Sequence, residues 1–467
     1  FLERLVNFMK VAKFGGSSVS NATQIKKVLN IVNDDPDRKI IIVSAPGKRH
    51  KNDVKTTDLL IRLYEKVINH LDYQDKKREI IQRYADILEE LHMESTLLET
   101  IDETLETIIK QLNDKHDRLY DALLSCGENF NAQLIAKYND SQGIKTTYLS
   151  PKDAGILVTD LPQQAQILED AYDKIYKLRE IEGKIIIPGF FGVSKHNYVV
   201  TFPRGGSDIT GAIIARGIKA SLYENFTDVS GIFKANPNVI ENPELIEEIT
   251  YREMRELSYA GFSVFHDEAL QPLYKHRIPV VIKNTNHPED KGTFIRHDRE
   301  VTDKNQIIGI SCDKDFTVIN IKKYLMNRQI GFTRRILEIL ENYHISFDHM
   351  PSGIDNISII MRSNQIKDKE NEVLSAIRKK CDIDELSIDH DLAILMIVGE
   401  GMTQSVGTAN KITHALAESN INLKMINQGA SEISMMFGIS RENADKAVLS
   451  TYEYCYHGVC LKNLCPK

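Results

Sequence analysis

The sequence predicts an α/β domain with a mostly parallel sheet, followed by two smaller α+β modules. Through roughly the first three hundred residues, short β-branched runs alternate with longer segments whose apolar residues recur at helical spacing. Beyond about residue 305 this alternation ends, and a pattern of loop, helix, strand, turn and strand occurs twice. Strands that alternate with helices are typical of a parallel sheet covered by helices. We therefore expect one layered domain over residues 9–300 and a second region over residues 305–467.

The first strand and helix are predicted at the start of this domain. Lys10–Phe14 is a mostly apolar run, and apolar residues at helical spacing follow it from Ile25 to Val32. Further apolar runs bounded by Gly, Pro or charge predict buried strands at 40–43, 146–149, 185–187 and 279–282. Residues 59–124 are rich in Glu, Lys, Leu and Ile and contain no Pro or Gly, which predicts a helical subdomain packed on the sheet.

The second region contains an internal repeat at a shift of 76 residues. Residues 331–336 align with residues 407–412, and Gly353 aligns with Gly429 in the same register. One register therefore preserves a helix start and a turn glycine together, which indicates two copies of one α+β module.

Composition excludes several classes of protein. The chain has 467 residues, of which 42% are hydrophobic and 27% charged, enough for more than one buried core. Its formal net charge of −7 forms no basic stripe, which argues against nucleic acid as a partner. No apolar run approaches the ~18 residues of a membrane span. The six cysteines are too few for a disulfide framework, so we expect a cytoplasmic protein that binds small molecules and not membranes.

A glycine-rich turn is predicted at residues 13–18, Lys-Phe-Gly-Gly-Ser-Ser, between the first strand and the first helix. Such a turn exposes backbone N–H groups to an anion, with a lysine charge beside them. The segment is neither a P-loop nor a GxGxxG fingerprint, so an ordinary strand-to-helix turn is the alternative.

Two further segments carry residues suited to binding a small zwitterion. Residues 204–208, Arg-Gly-Gly-Ser-Asp, open a helix in which Arg204 can hold a carboxylate and Asp208 an ammonium. Residues 125–128, Ser-Cys-Gly-Glu, place a carboxylate beside a glycine. Taken alone, the first is equally a helix cap with a surface arginine and the second a solvated surface charge.

Together these motifs resemble those of the aspartate kinases in the amino-acid kinase family, and the resemblance covers nearly the whole chain. Six features occur in the expected order, namely residues 13–18, residues 43–45 with 57–58, residues 125–128, residues 204–208, residues 227–233, and the C-terminal repeats. The repeats resemble the paired ACT modules of that family. The resemblance implies an amino-acid kinase-like sandwich followed by two ferredoxin-like ACT modules.

The resemblance also implies a reaction and its site residues. The family transfers the γ-phosphoryl group of ATP to the side-chain carboxylate of L-aspartate, the first step of lysine, threonine and methionine biosynthesis, and Mg²⁺ is expected to arrive with ATP. Catalysis is assigned to Lys13 and Asp208. ATP binding is assigned to Lys13, Gly15, Gly16, Ser17, Thr227, Asp228, Phe233 and Lys234. Aspartate binding is assigned to Ser44, Thr57, Glu128, Arg204, Gly205, Gly206 and Ser207.

Three positions on the nucleotide side depart from the family pattern. This chain has Phe233, Asn238 and Ser263 where the family often has tyrosine, arginine and lysine. One positive charge near the phosphates is then missing, and Lys234 is a hypothetical substitute because it follows Phe233 directly.

Regulation is implied by the ACT modules, which in this family pair across subunits and bind an amino-acid end product. Positions that match the lysine site of lysine-sensitive relatives are Met326, Gly331, Phe332, Thr333, Ser346, Phe347 and Asp348. We expect lysine as the inhibitor, with its ammonium at Asp348, and threonine is the alternative. A homodimer or tetramer is expected.

Two other functions remain open at this stage. One is a kinase of another amino acid, and the other is a non-catalytic amino-acid sensor in which only the ACT modules function. No metal site built by the protein is expected, because the histidines form no ligand pair and the C-terminal Cys455, Cys460 and Cys465 lack the close CxxC spacing of zinc sites.

Overall fold

Contacts within the chain divide it into two compact units. The structure is a computed structural model that describes residues 8–203, 205–259, 261–262, 267–302, 305–429 and 433–459. The first unit takes the described residues up to 232, together with 245–254 and 267–299. The second takes 233–244, 255–262 and the described residues from 300 onwards.

The first unit contains eleven strands and nine helices in its described part. Helix α8 is shared, because its last five residues, from Arg255 to Tyr259, belong to the second unit. The strands are β1 (Lys10–Phe14), β2 (Arg38–Val43), β3 (Thr146–Tyr148), β4 (Leu157–Val158), β5 (Lys184–Pro188), β6 (Phe191–Ser194), β7 (Val199–Thr201), β8 (Leu222–Thr227), β9 (Glu248–Thr250), β10 (Val280–Asn284) and β11 (Thr293–Arg296). The helices are α1 (Ala22–Asp34), α2 (Thr56–Ile68), α3 (Gln74–Glu90), α4 (Thr96–Leu112), α5 (His116–Ser141), α6 (Ala171–Tyr176), α7 (Gly206–Gly217), α8 (Tyr251–Tyr259) and α9 (Asp267–Lys275).

Eight of these strands form one sheet in the order β3-β5-β2-β1-β8-β10-β11-β9. All neighbours are parallel except β10 and β11, which confirms the predicted mostly parallel sheet. Strand β1 lies at the centre and is buried on both faces, as expected of a sheet covered by helices. Strands β4, β6 and β7 form a small separate sheet.

The helical subdomain is longer than the sequence predicts. Helices α2 to α5 run from Thr56 to Ser141, whereas the pattern predicted residues 59–124. The C-terminal bounds differ because α5, which is 26 residues long, does not end near Gly127 but continues to Ser141. A Cβ at Gly127 would lie 2.8 Å from the Cβ of Ala45, so the glycine allows α5 to pack closely against the chain after β2 and does not end the helix.

The second unit contains five strands and five helices in its described part. The strands are β12 (Gly309–Lys322), β13 (Asn356–Arg362), β14 (Glu385–Val398), β15 (Met425–Asn427) and β16 (Ser434–Ile439). The helices are α10 (Phe332–Asn342), α11 (Ser363–Ile366), α12 (Glu370–Lys380), α13 (Thr408–Glu418) and α14 (Ala444–Tyr452). The strands form one antiparallel sheet in the order β13-β12-β14-β16-β15.

The predicted repeat is visible in this sheet and its helices. Strands β12 and β14 are both 14 residues long and are related by the shift of 76, and so are the 11-residue helices α10 and α13. Each of these helices begins after a glycine with left-handed backbone, Gly331 at φ 76° and Gly407 at φ 89°. The two long strands pair along their whole length, so each contributes one half to each module. Each module has its own hydrophobic core, formed between its helices and its part of the sheet.

None of the described helices is both long and apolar enough to cross a membrane.

A buried ion pair joins β2 to β8 across the central strand. The Arg38 guanidinium donates two hydrogen bonds to the Glu224 carboxylate, at 2.6 and 2.9 Å, and a third to the Ile31 carbonyl. The Glu224 side chain is 4% exposed. Both charges have largely left water, and Glu224 is the main compensation for Arg38, since the nearest other carboxylate, on Asp35, lies 3.9 Å away.

Removing one partner of this pair should destabilise the first unit strongly. Glu224→Ala leaves the Arg38 charge buried without its carboxylate, so we expect a loss of about 3–5 kcal/mol in the free energy of unfolding, measured by urea denaturation. Glu182→Ala is the matched control, because Glu182 pairs with Lys145 at the surface and is 81% exposed. Its effect should stay within about 0.5 kcal/mol, and equal losses in the two variants would contradict the account.

Candidate active site

The predicted site residues converge because the parallel strands end at one edge of the sheet. The turn at Gly15 and Gly16 follows β1, Ser44 follows β2, and Asp228 follows β8. In open α/β sheets, ligands bind outside the carboxyl ends of the strands. One cavity of about 720 Å³ lies at this edge.

Most of the residues predicted for catalysis and substrate binding line this cavity. They are Lys13, Gly15, Gly16, Ser17, Ser44, Thr57, Glu128, Gly205, Gly206, Ser207, Asp208, Thr227 and Asp228. The cavity also takes in Ala45, Pro46, Gly47, Lys48, His50, Lys51, Lys55 and Phe190. Residues far apart in the sequence therefore form one site.

The centre of the site is a hydrogen-bonded cluster around Lys13. The Lys13 ammonium lies 2.6 Å from the Asp208 carboxylate and donates to the Asn225 side-chain oxygen at 3.3 Å. The Asn225 amide nitrogen in turn donates to Asp208 at 3.0 Å. The three groups hold one another in place, so the position of the lysine charge is fixed before any ligand binds.

Backbone amides complete an anion-binding surface beside this cluster. A 3₁₀ turn over Gly16–Val19 and helix α7 both begin at the cavity, and neither has a side-chain cap on its first N–H groups. Uncapped amides at a helix start attract negative charge, and the helix dipole acts in the same direction. Lys13 and the two helix starts therefore favour a phosphate group.

Glu128 provides a further carboxylate to the cavity. It lies in the middle of α5, is 6% exposed, and its Oε2 atom has no hydrogen-bond partner among the described residues. Burial raises the pKa of Glu128 to about 8, against a smaller opposing effect of the Ala45 backbone amide. The carboxyl is thus suited to receive a cationic group, whose charge would favour the ionised form.

Hydroxyl groups also line the cavity. The Ser44 hydroxyl donates to the Ser207 hydroxyl at 3.0 Å, and the Asn131 side chain fixes the Ser44 carbonyl at 2.7 Å. Thr57 lies in the first turn of α2 and also lines the cavity. The cavity therefore offers polar partners to a small polar ligand between Glu128 and Lys13.

Four predicted residues are not among the described residues that line the cavity. Arg204 and Ser263 are outside the described residues. Phe233 and Lys234 belong to the second unit and are not among the described residues that line the cavity. The Lys234 ammonium lies 2.5 Å from Glu244 and 4.4 Å from the ring centre of Tyr456. The assignment of these residues to the nucleotide stays a prediction, and Lys234 has another partner in this structure.

The predicted effector positions fall into two groups in the first module. Gly331, Phe332 and Thr333 begin α10, whereas the residues from Ser346 to Asp348 follow its end. The side chains of Met326 and Phe332 pack in the module's core. Thr333 and Asp348 are half-buried, and Ser346 and Phe347 are exposed. Of the predicted effector positions, these four therefore have side chains that a ligand can reach.

Sequence reasoning missed Asn225 and the segment over residues 47–55. Asn225 could have been found from the sheet register, because it lies directly opposite Lys13 on β8. The segment contains Lys48, Arg49, His50, Lys51 and Lys55, and this density of positive charge was the available signal.

The described residues contain no group of three or more His, Cys, Asp or Glu side chains that could hold a metal ion.

A parallel sheet with an anion-binding cavity at its strand ends is typical of the amino acid kinase family, and the model of that family matches residues 9–284. An ACT domain model matches residues 395–453. The chain is 47% identical to aspartokinase 3 of Bacillus subtilis, over 97% of this chain and 100% of the relative. The chain therefore belongs to the amino acid kinase family and, within it, to the aspartokinases, which confirms the family and the enzyme class predicted from the motifs.

Solved structures support the same conclusion. The Clostridium acetobutylicum aspartate kinase is 40% identical and superposes with a TM-score of 0.86, over 95% of this chain and 99% of that chain. Escherichia coli aspartokinase III in complex with aspartate and ADP has the same fold at 23% identity, with a TM-score of 0.77 over 96% of this chain and 100% of that chain. The predicted fold class is confirmed.

The raised pKa of Glu128 should make the stability of the protein pH-dependent. The folded state keeps a proton on Glu128 up to about pH 8, whereas the unfolded chain releases it near its ordinary value of 4.5. The folded state thus binds more protons in this window, and its stability falls as pH rises from 4.5 to 8. Glu128→Gln removes this loss, so its stability relative to wild type should increase across the window and then level off.

The measurement is the urea midpoint of each protein as a function of pH. Glu89→Gln, at an exposed position on α3, is the control and should follow wild type throughout. A constant difference between Glu128→Gln and wild type would contradict the buried, protonated carboxyl.

Proposed function

We propose that this aspartokinase transfers the γ-phosphoryl group of ATP to the side-chain carboxylate of L-aspartate and forms 4-phospho-L-aspartate. The observation that carries the proposal is the single cavity lined both by Lys13 with uncapped amides and by a buried glutamate whose Oε2 atom has no partner among the described residues. An anion-binding side and a cation-binding side fit a nucleotide phosphate and the ammonium of an amino acid. The Escherichia coli enzyme with the same fold binds aspartate and ADP.

The reaction needs positioning more than covalent assistance. A carboxylate oxygen of aspartate attacks the γ-phosphorus, the bond from that phosphorus to the bridging oxygen breaks, and ADP leaves with the electron pair. The attacking carboxylate is already ionised, so no general base is required. Catalysis then comes from alignment and from charge placed where it develops on the phosphoryl oxygens.

Lys13 is the residue placed to stabilise that charge. Its ammonium is held by Asp208 and Asn225, so little reorganisation is needed when the phosphoryl group transfers. The amides of Gly16 and Ser17 bind phosphate oxygens next to it, Gly15 lines the cavity with its own N–H donated to the Phe226 carbonyl, and Thr227 and Asp228 contact the nucleotide from the end of β8. Asp208 acts on the reaction through its hold on Lys13.

Aspartate is bound by its remaining groups. Glu128 receives the ammonium, and Ser44, Thr57 and Ser207 supply hydroxyl partners. Arg204, predicted from sequence to hold a carboxylate, completes this set together with the Gly205 and Gly206 backbone. Magnesium enters as part of the MgATP substrate, held by phosphates and water, in accord with the chemistry of that ion.

Loss of the Lys13 charge should reduce turnover with little effect on aspartate binding. Lys13→Ala is expected to lower kcat by ~10²-fold or more, the scale for removing one preorganised donor from a developing negative charge. The aspartate KM should change little because Glu128 and the hydroxyls remain. The assay traps the acyl phosphate with hydroxylamine and quantifies the aspartyl hydroxamate.

Lys10→Ala is the control for this measurement. Lys10 lies on the same strand but pairs with Asp35 at 2.7 Å and does not line the cavity in the described structure. It should retain wild-type kcat. A wild-type kcat for Lys13→Ala as well would remove Lys13 from the mechanism, and preference for glutamate over aspartate would identify a different acceptor.

We further propose that lysine inhibits the enzyme through the first module and that the enzyme acts in lysine, threonine and methionine biosynthesis. Asp348 is the proposed acceptor of the lysine ammonium, and a homodimer or tetramer brings two first modules together. The four described cysteines, at 126, 312, 381 and 455, are free, which is consistent with the reducing cytoplasm.

The internal repeat supports the choice of the first module. The position equivalent to Asp348 in the second module is Lys424, whose ammonium lies 3.0 Å from Asp389 and 3.2 Å from Asp391. A lysine side chain paired with two aspartates already occupies that position, so the position offers no carboxylate to a cationic effector. The first module is the copy that presents a carboxylate there.

Asp348→Asn should therefore relieve inhibition by lysine without changing uninhibited activity. We expect the concentration for half inhibition to rise by about tenfold or more, as when a charge-assisted hydrogen bond is lost. Aspartyl hydroxamate formation as a function of lysine concentration measures this. Asp368→Asn, at an exposed position of the same module, should behave as wild type. Inhibition by threonine alone would contradict the choice of lysine.

A further inference from the structure

The segment over residues 47–55 is here called the basic loop. It contributes more positively charged side chains to the cavity lining than the cluster around Lys13 does. Lys48, His50, Lys51 and Lys55 all line the cavity, and all four are exposed. We propose that the basic loop is a preformed clamp for the polyphosphate chain of the nucleotide, with Lys48, Lys51 and Lys55 as its phosphate-binding residues. This inference rests on the proposed function only in taking the anion to be MgATP.

The first end of the basic loop is attached to the glycine-rich turn. The Gly47 N–H donates to the Gly16 carbonyl at 2.9 Å. A Cβ at position 47 would lie 2.6 Å from the Gly16 carbonyl carbon, so only glycine permits this approach. Lys48 therefore begins next to the amides that face the cavity at Gly16 and Ser17.

The other end is held by a buried arginine. The Arg83 guanidinium donates to both oxygens of Asp53, at 2.8 and 3.1 Å, and to the Val54 carbonyl at 2.5 Å. The Thr56 N–H donates to the Pro46 carbonyl at 3.2 Å and closes the loop at its base. The loop backbone is thus fixed before a ligand arrives, which lowers the entropic cost of binding.

The positively charged side chains of the loop have two different roles: Arg49 forms ion pairs within the protein, whereas the lysines line the cavity. Arg49 is engaged by Asp53 and Asp86, both at 3.0 Å, and is not among the described cavity-lining residues. Lys48, Lys51 and Lys55 form no ion pair with any described residue. Three like charges at the rim of one cavity repel one another unless an anion lies among them.

A polyphosphate is the anion that fits this charge. Lys13 is already paired with Asp208, and the other described carboxylates that line the cavity are Glu128 and Asp228. An amino-acid substrate brings one net negative charge at most, which three lysines exceed. A nucleotide triphosphate carries several, and lysine ammonium groups bind phosphate as point charges.

The test compares Lys48→Ala/Lys51→Ala/Lys55→Ala with wild type in the full-length chain. The KM for MgATP should rise, and the affinity for MgADP measured by calorimetry should fall, each by about tenfold or more, the scale of a charge-assisted contact. The aspartate KM should stay within about twofold, since its binding groups are untouched. The matching triple arginine variant keeps the charge and should restore MgADP binding.

Lys26→Ala is the control, because Lys26 is an exposed lysine on α1 outside the described cavity lining, and it should match wild type in both measurements. The single alanine variants, each at an exposed position, give the same readout should the triple variant fail to fold. Unchanged MgADP affinity, or an effect confined to the aspartate KM, would overturn the clamp.

The same experiment separates this inference from the proposed function. Wild type that binds MgADP but forms no aspartyl hydroxamate would contradict the proposed reaction, while weaker MgADP binding by the triple variant would still support the clamp. Wild-type activity together with undiminished nucleotide binding in the triple variant would refute the clamp alone.

Discussion

The register of β1 against its two neighbours determines where chemistry occurs in this protein. Lys13 lies opposite Ile42 on β2 and opposite Asn225 on β8, and its side chain meets Asp208 from the first turn of α7. A slip of one residue would move Lys13 to the other face of the sheet and separate the three groups. The Arg38–Glu224 pair joins the same two neighbouring strands and so supports the register on which the site depends.

The charges that line the cavity are arranged to complement a nucleotide and an amino acid. Lys13 is positioned by neighbours, and Glu128 is kept largely protonated at neutral pH by burial. The lysines of the basic loop, in contrast, have no acidic partners among the described residues. A nucleotide and an amino acid together would supply the missing anions and the missing ammonium, so complementarity develops only when both are present.

How much could be predicted from sequence depended on whether the signal was local. The turn at Gly16 and the repeat at Gly331 and Gly407 were visible as short motifs, because closely approached backbone at Gly16 and left-handed backbone at the other two favour glycine. Asn225 was missed because its role depends on strand pairing. The end of α5 was misplaced since Gly127 serves packing and not helix termination.

The central claim is that the cavity transfers a phosphoryl group to the side-chain carboxylate of aspartate. ³¹P NMR of the wild-type protein with MgATP and L-aspartate tests it most directly, because an acyl phosphate has a resonance distinct from those of ATP, ADP and inorganic phosphate. The account predicts that this resonance appears together with ADP and only when both substrates are present. ATP that remains unchanged, in a protein that still binds lysine, would contradict the account and identify an amino-acid sensor instead.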